Sequence, residues 1–392
     1  MKNNKKIPAI NLRQYGMIIA LVLITLFFGT VTGGVLFKPM NISNIFMQNS
    51  YIIFLSIGMF FCVLTGNVDL SVGSVVGVSG ALLGFMIVEH NVPTPVAVIV
   101  TLVCGLLIGV FHGCFIAFLN IPPFIVTLAG MLIFRGLTMV ILQGQSLSPF
   151  SKSFQYFSSG FVGTDMKAGG INILCVLLFA AAAAAIILAE QNKRKARIKY
   201  GFEVSSAKIM AAKLAAVLLA VGAILMGLGM YRAIPFILII LIIVALIYTY
   251  IADKTPVGRH VYAVGGNADA ARLSGVKTRL IMFLVYVNCS FMATIAGIVV
   301  TSRLNVATSK AGTSYELDAI AACYIGGCAA SGGAGSIIGV ITGAAVMAVL
   351  NNGMSILGIG TDMQQVIKGF ILLLAVTFDI RAKAKGKSRR HP

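Results

Sequence analysis

The sequence predicts an all-α fold, a polytopic membrane helical bundle of about 10–12 transmembrane helices. Three observations carry that expectation. Hydrophobic residues make up 58% of the chain and charged residues only 10%, outside the range of soluble globular domains. The apolar residues run in stretches long enough to cross a bilayer, which takes about 17–25 residues per helix. None of the ten prolines falls deep inside those stretches; they sit where a missing N–H costs least.

In order, the stretches cover 16–37, 43–65, 70–89, 96–119, 124–142, 171–190, 210–231, 234–252, 281–301, 318–330, 336–352 and 364–380. Pro39, Pro93, Pro95, Pro122, Pro123, Pro149, Pro235 and Pro256 mark their ends and the loops between them. The first stretch follows a basic segment but is too long for a signal-peptide core and lacks a small-residue cleavage pattern, so it reads as a retained anchor. The stretch at 318–330 is short and glycine-rich, and a re-entrant or broken segment is expected there. The longest pieces between stretches are Gln143–Gly170, Gln191–Ile209 and Asp253–Leu280. Everything else is turns, so 1–392 reads as a single integral membrane domain.

The net charge of +19 is explained by its distribution. Lys2, Lys5, Lys6 and Arg13 precede the first stretch, and Lys193–Lys199 with Lys208 and Lys213 form a basic block. Lys254, Arg259, Arg272, Lys277 and Arg279 lie in and around 253–280, and Arg381–Arg390 form a basic tail. Alternating crossings put all four groups on one side, which the positive-inside rule makes cytoplasmic, together with both termini. The other side receives only scattered Lys38, Lys152, Lys167, Arg232, Arg303 and Lys310. No nucleic acid need be invoked, and contact with anionic membrane lipid is expected as a by-product. The seven cysteines lie within apolar runs without metal-ligand spacing and read as buried small hydrophobes, so no metal is expected.

A weak internal echo is present. Gly109-x-x-x-Gly113 leads to Leu119-Asn120, and Gly339-x-x-x-Gly343 leads to Leu350-Asn351. Val68-Asp69-Leu70 precedes the first copy and Glu316-Leu317-Asp318 the second. The two glycine pairs run in opposite directions through the bilayer, as an inverted repeat requires. Coincidence is the competing reading, since glycine pairs are common wherever membrane helices pack closely.

The polar, glycine-rich island Pro256–Gly275 stands out between apolar runs. Asn267 suits an N-cap, Asp269 sits where the helix dipole favours a negative charge, and Ala270-Ala271 are strong helix formers. Gly275 supplies a left-handed stop, so a helix of about two turns is expected over 267–274, approached through Gly258, Gly265 and Gly266. So short a helix is unstable alone in water and must pack on something. Composition leaves two readings equal: a dock for a soluble partner, and a structured loop resting on its own bundle.

Several segments resemble the permeases of monosaccharide ABC importers, the family of ribose, xylose, galactose and arabinose systems. They are Gly258-Arg259 with Ala263-x-Gly265-Gly266-Asn267 and Ala271-Arg272-Leu273-Ser274-Gly275; Leu64-Thr65-Gly66-x-Val68-Asp69-Leu70-Ser71-Val72-Gly73; Asn120-Ile121-Pro122-x-Phe124-Ile125-Val126-Thr127-Leu128; Tyr315–Ala322; and Gln364–Gly369. They tile most of the chain in family order. Residues 170–231, an inserted helix pair, depart from a ribose-type permease and make the chain similar to the longer xylose or multiple-sugar permeases. The resemblance implies a fold like that of type II ABC importers and a place in the bacterial inner membrane. It implies a homodimer, a cytoplasmic ABC ATPase subunit, and a periplasmic or lipid-anchored sugar-binding protein as partners. It also makes 253–280 the coupling loop, with Gly258, Arg259, Gly265, Gly266, Asn267, Asp269, Ala270, Ala271, Arg272 and Gly275 as its ATPase-coupling residues.

No G-x-x-x-x-G-K-[ST] phosphate loop exists in the chain, so any ATP–Mg belongs to the partner ATPase and no cofactor is expected here. Asn67, Asp69, Ser71, Asn120, Arg135, Asn351, Gln364 and Lys368 are the candidates for lining the pathway. Arg135 lies mid-span, where insertion costs about 2.5–3.5 kcal/mol, and Gln364 and Lys368 share a helical face. Asp69 and Asp318, which begin spans, read rather as ties or caps, and for Arg135 both roles stay open. Catalysis has no support: His90, His112, His260 and His391 lack any metal or nucleophile pattern. An ion-coupled secondary transporter is the rival reading, but it needs no docking loop and would carry a mid-span carboxylate, whereas the acids here lie at span ends. A nucleoside or signalling-molecule permease of the same family is a further alternative.

Overall fold

A computed structural model describes residues 12–202, 204 and 206–388. Lys2, Lys5, Lys6, Arg389, Arg390 and His391 lie outside the described residues. The helices are α1 (Leu12–Val31), α2 (Pro39–Leu64), α3 (Val72–Leu83), α4 (Thr94–Ala117), α5 (Pro123–Leu142), α6 (Lys152–Ser159), α7 (Ile173–Lys199) and α8 (Ala207–Tyr231). They continue as α9 (Phe236–Lys254), α10 (Pro256–Gly266), α11 (Ala268–Leu273), α12 (Thr278–Leu304), α13 (Tyr315–Ile325), α14 (Ile337–Ile356) and α15 (Thr361–Ser388). Among the described residues, nine helices are long and apolar enough to cross a membrane: α2, α3 with its π-helical extension to Glu89, α4, α5, α7, α8, α9, α12 and α14.

The prolines act as expected: Pro39, Pro95, Pro123 and Pro256 occupy the first turns of α2, α4, α5 and α10, where the missing N–H has no helical partner. Among the described residues, strand is confined to two-residue pairings, Phe161–Val162 with Ile234–Pro235 and Lys167–Ala168 with Ile171–Asn172. The loop expected over 143–170 contains the short helix α6, which is tied to the end of α12. There the Ser302 hydroxyl donates to Phe154 O at 2.6 Å, and Phe150 N donates to Asn305 Oδ1 at 2.8 Å. The first crossing is shorter than expected, because α1 ends at Val31 and a 3₁₀ turn over Val35–Phe37 leads into α2.

The packing shows an internal correspondence between α2–α5 and α12–α15. Helices α2 and α12 touch each other; α12 packs on α3 and α4, as α2 packs on α13 and α14; and α3 meets α5 as α13 meets α15. The glycine echo that suggested the repeat does not follow this symmetry. Gly109 and Gly113 let α4 press on the backbone of Val287 and Phe283 in α12, whereas Gly339 and Gly343 let α14 press on the end of α13 around Ala322 and Gly326. Close helix approach in both places is what small residues provide, but the two contacts are not equivalents.

Helices α2, α3, α12 and α14 form the buried centre, with Phe54, Phe60, Met292 and Met347 fully enclosed. Helices α7 and α8 lie at the periphery, packed on each other and joined to the centre chiefly through α2. The segment 318–330 is broken, as its composition suggests: α13 stops at Ile325, and glycines 327, 332 and 333 take positive φ in the connection to α14. The island differs from expectation. It forms two helices, so the approach through Gly258, Gly265 and Gly266 is itself a helix, α10. Thr255 caps α10, its Oγ1 accepting from Gly258 N at 3.3 Å.

Candidate functional site

Two places with polar chemistry lie at opposite ends of α13. The first is the face bearing α10 and α11. Val261 and Val264 bury one side of α10, and Tyr262 Oη donates to Gly335 O at 2.9 Å. At Gly265 the helix meets the end of α2 so closely that a Cβ would overlap the Leu64 carbonyl oxygen and lie 2.9 Å from Gly333 N. Gly333 N in turn donates to Leu64 O at 2.8 Å. Three backbones are thus welded together: the end of α2, the end of α10 and the loop after α13. Burial, with the charge of Asp253, pushes the Tyr262 hydroxyl up to about 12, so it remains a donor.

Beyond the weld, Asn267 caps α11 by accepting from Ala270 N at 3.0 Å, and Gly275 ends the segment with φ +84°. Ala271 faces inward, while Asp269 and Arg272 pair at 3.4 Å on the exposed side. Ala270 is exposed, and so is Arg259, which bonds Lys254 O at 3.4 Å. Leu273 is 86% exposed at the tip. That leucine was not among the coupling candidates, though an apolar residue between Arg272 and Ser274 signals it.

The second place is a polar pocket of about 260 Å³ at the other end of α13. It is lined by Asn49 and Tyr51 of α2, Arg303 of α12, Tyr315 of α13, Asn351 and Asn352 of α14, and Gln364, Gln365 and Lys368 of α15. Beneath it, Asp318 is fully buried and accepts from Tyr51 Oη at 2.8 Å and Asn351 Nδ2 at 3.4 Å. Lys368 Nζ lies 2.9 Å from its Oδ1. Tyr51 and Tyr315 stack at 3.9 Å between ring centroids. Gln364 donates to Ile359 O at 2.9 Å.

Three of the pathway candidates, Asn351, Gln364 and Lys368, therefore meet in one cavity; the others lie apart. Asp69 is fully buried at the break between α2 and α3, where its Oδ1 accepts from Ser71 N at 2.9 Å and Ser71 Oγ at 2.6 Å. Asn67 bonds Thr65 O at 3.1 Å, and Asn120 is exposed with φ 56° just past α4. Arg135 Nη1 donates to Ser309 O at 3.2 Å and Ala311 O at 2.8 Å, tying α5 to the loop before α13. Asp318, read from sequence as a tie or cap, instead anchors the pocket. Both Asp69 and Asp318 are fully buried, so placement of acids at span ends does not by itself argue against ion coupling. Tyr51, Arg303 and Tyr315 were missed; the opposite charges in two separate apolar stretches, Asp318 and Lys368, were the available signal. A larger cavity of about 430 Å³ between α4, α9, α10 and α12 is walled mainly by apolar side chains such as Phe61, Leu106 and Phe291.

Comparison with known proteins gives a consistent result. Residues 41–376 match the family profile described as branched-chain amino acid transport system / permease component. The xylose transport system permease protein of Haemophilus influenzae is 38% identical over 381 residues, covering 97% of this chain and 99% of the relative. That of Escherichia coli strain K12 is 36% identical, covering 97% and 94%. The ribose import permease protein of Bacillus subtilis is 32% identical, covering 88% and 87%. No solved structure matched the chain.

Proposed function

Because the chain belongs to the branched-chain amino acid transport system / permease component family, we propose that it forms the membrane pathway for a monosaccharide, either xylose or several pentose and hexose sugars. It is a multi-pass inner-membrane permease of an ABC importer and works with an ATPase subunit and a binding protein. We read 1–392 as one membrane domain with the peripheral pair α7–α8 as an insertion. Two copies pair, embedded in lipid, with α10–α11 and both termini on the cytoplasmic side. The chain holds no cofactor of its own, and ATP–Mg acts in the partner.

The observation that carries this reading is the weld at Gly265. A docking element on a flexible tether would swing without moving the bundle. Here α11 projects Arg272 and Leu273 outward, while α10 joins by backbone contact to α2 and to the loop that ends α13. Closure of an ATPase gripping α11 would therefore bias a two-state bundle. At the far end of α13, Asp318 and the polar pocket would respond.

The test reverses charge at Arg259 or Arg272 in the full chain, expressed with its ATPase. ATPase co-purification and sugar uptake should both fall while the amount of protein in the membrane stays constant. Unchanged co-purification and uptake in both variants would defeat the docking assignment.

A further inference from the structure

Leu106, Val257 and Leu284 line the apolar cavity of about 430 Å³ between α4, α9, α10 and α12, and each is itself 38–43% exposed. Phe61, Val261 and Val285, in the same wall, are buried. The cavity is therefore a cleft cut into the flank of the bundle, not a hollow in its centre. Helices α4 and α9 make that flank, and only 22% and 17% of their most apolar windows are covered by the rest of the chain. The polar side chains in the cleft offer little to a guest. Tyr248 donates to Asn288 Oδ1, Thr255 donates to Ile251 O, and Asn288 Nδ2 is buried. A sugar would lose water from its hydroxyls here without replacement.

Positive charge gathers where α9 stops and α12 starts, at one end of this cleft. Lys254 immediately precedes Thr255, and Arg279 stands two residues before Ile281, both of them residues of the cleft wall. Arg259 and Lys277 lie in the same connection, and all four cations are exposed. The acids of 253–281 are Asp253 and Asp269, and Asp269 is paired with Arg272, so the cations outnumber their counter-charge. A second copy seated on this flank about a two-fold axis would set the same cations against each other. A lipid with an anionic headgroup meets both features at once. Its chain fills the apolar cleft, and its phosphate lies among basic side chains whose stems run along apolar surface.

We propose that this cleft seats an acyl chain of an anionic phospholipid whose headgroup phosphate is held by Lys254 and Arg279. The site requires only that these ends of α9 and α12 lie at a headgroup layer, and it stands whatever solute the chain passes. Because Val257 and Val261 belong to α10, the lipid rests against the helix that carries the weld at Gly265.

The chain contains no tryptophan, so a single one placed by Leu106→Trp on α4 or Leu284→Trp on α12 reports on the cleft. Leu107→Trp, at the next residue of α4 and a position 60% exposed, reports on ordinary lipid at the same depth. Each full-length variant is reconstituted in phosphatidylcholine vesicles holding increasing fractions of chain-brominated phosphatidylglycerol, or of chain-brominated phosphatidylcholine. Monodisperse elution before reconstitution shows that each variant is folded. At both cleft positions the anionic lipid should quench with an affinity about 25-fold above the neutral one, the worth of two juxtamembrane cations, while at Leu107→Trp the two lipids should act alike. Lys254→Gln or Arg279→Gln should each cut that preference about fivefold, and the pair should abolish it. With the cleft unaltered, wild-type protein extracted in mild detergent should retain phosphatidylglycerol that the double Gln variant loses. Equal quenching by both lipids at all three positions would mean ordinary solvating lipid and would overturn the proposal. Cleft tryptophans that neither lipid reaches would mean that protein, such as a second copy, covers the flank, and would overturn it too. A preference indifferent to both Gln substitutions would remove Lys254 and Arg279 from the site and defeat the headgroup assignment.

Discussion

Removing Lys368 should destabilise the protein more than removing its partner. The pair lies at 2.9 Å, and at an effective dielectric constant of about 20 the attraction at such a distance is about 6 kcal/mol before desolvation is subtracted. The Asp318 side chain is fully buried, whereas that of Lys368 is 13% exposed at the pocket. Lys368→Met leaves the carboxylate with Tyr51 and Asn351 alone, and breaking a buried pair in this way costs about 3–5 kcal/mol. Asp318→Asn keeps a polar group for both neighbours and leaves an ammonium able to turn toward the cavity. Its cost should be nearer that of an ordinary hydrogen bond, about 1 kcal/mol. The double variant should cost less than the sum of the two, with a coupling of about 0.5–3 kcal/mol. Thermal or denaturant unfolding of purified protein in detergent, followed as loss of the monodisperse peak, gives all three values. Equal costs for the single variants, or strict additivity, would refute the reasoning.

Gly265→Ala places a Cβ on the Leu64 carbonyl, an overpacking worth about 1–3 kcal/mol; if α11 is the dock, as proposed, uptake should drop sharply while ATPase co-purification persists. Tyr262→Phe removes the bond to Gly335 and should cost about 1 kcal/mol at neutral pH. Because folding holds the Tyr262 hydroxyl at about 12 against an ordinary 10, its contribution is complete below pH 10 and is lost as pH rises toward 12. The stability gap between the wild type and Tyr262→Phe should therefore be flat at neutral pH and narrow in strong alkali, as followed by unfolding at each pH.

What could be read from the chain was set by period and punctuation. Apolar length located the crossings and prolines marked their ends, because the bilayer imposes both rules on every segment separately. Asn267 and Gly275 announced α11 for the same reason, since caps act within a few residues. The glycines at 258, 265 and 266 could be placed locally only as an approach to the short helix, whereas Gly265 is required by contact with Leu64, far away in sequence. The pocket was hidden in the same manner. Asp318 and Lys368 are separated by a whole helix and its flanking loops, and Tyr51 comes from the other half of the repeat. Nothing local distinguishes a carboxylate that caps a span from one that receives a lysine.

Besides the contacts of α10 with α9 and α12, the weld at Gly265 offers two routes for motion imposed on α10: through the end of α2, or through the loop after α13. Helix α2 is the stiffer route, with 83% of its most apolar window buried among other helices. The loop is the compliant one, because Gly327, Gly332 and Gly333 already occupy the left-handed region and carry no side chain to lock them. Displacement should therefore pass into α13, a helix of eleven residues gripped at its start from two sides. Arg135 of α5 holds the carbonyls of Ser309 and Ala311 just ahead of it, and Lys368 of α15 holds Asp318 in its first turn. Helices α5 and α15 occupy corresponding places in the two matched sets of helices, so one grip comes from each set. A push on α10 therefore meets these two grips at the start of α13, the second reinforced by the bonds from Tyr51 and Asn351 to Asp318.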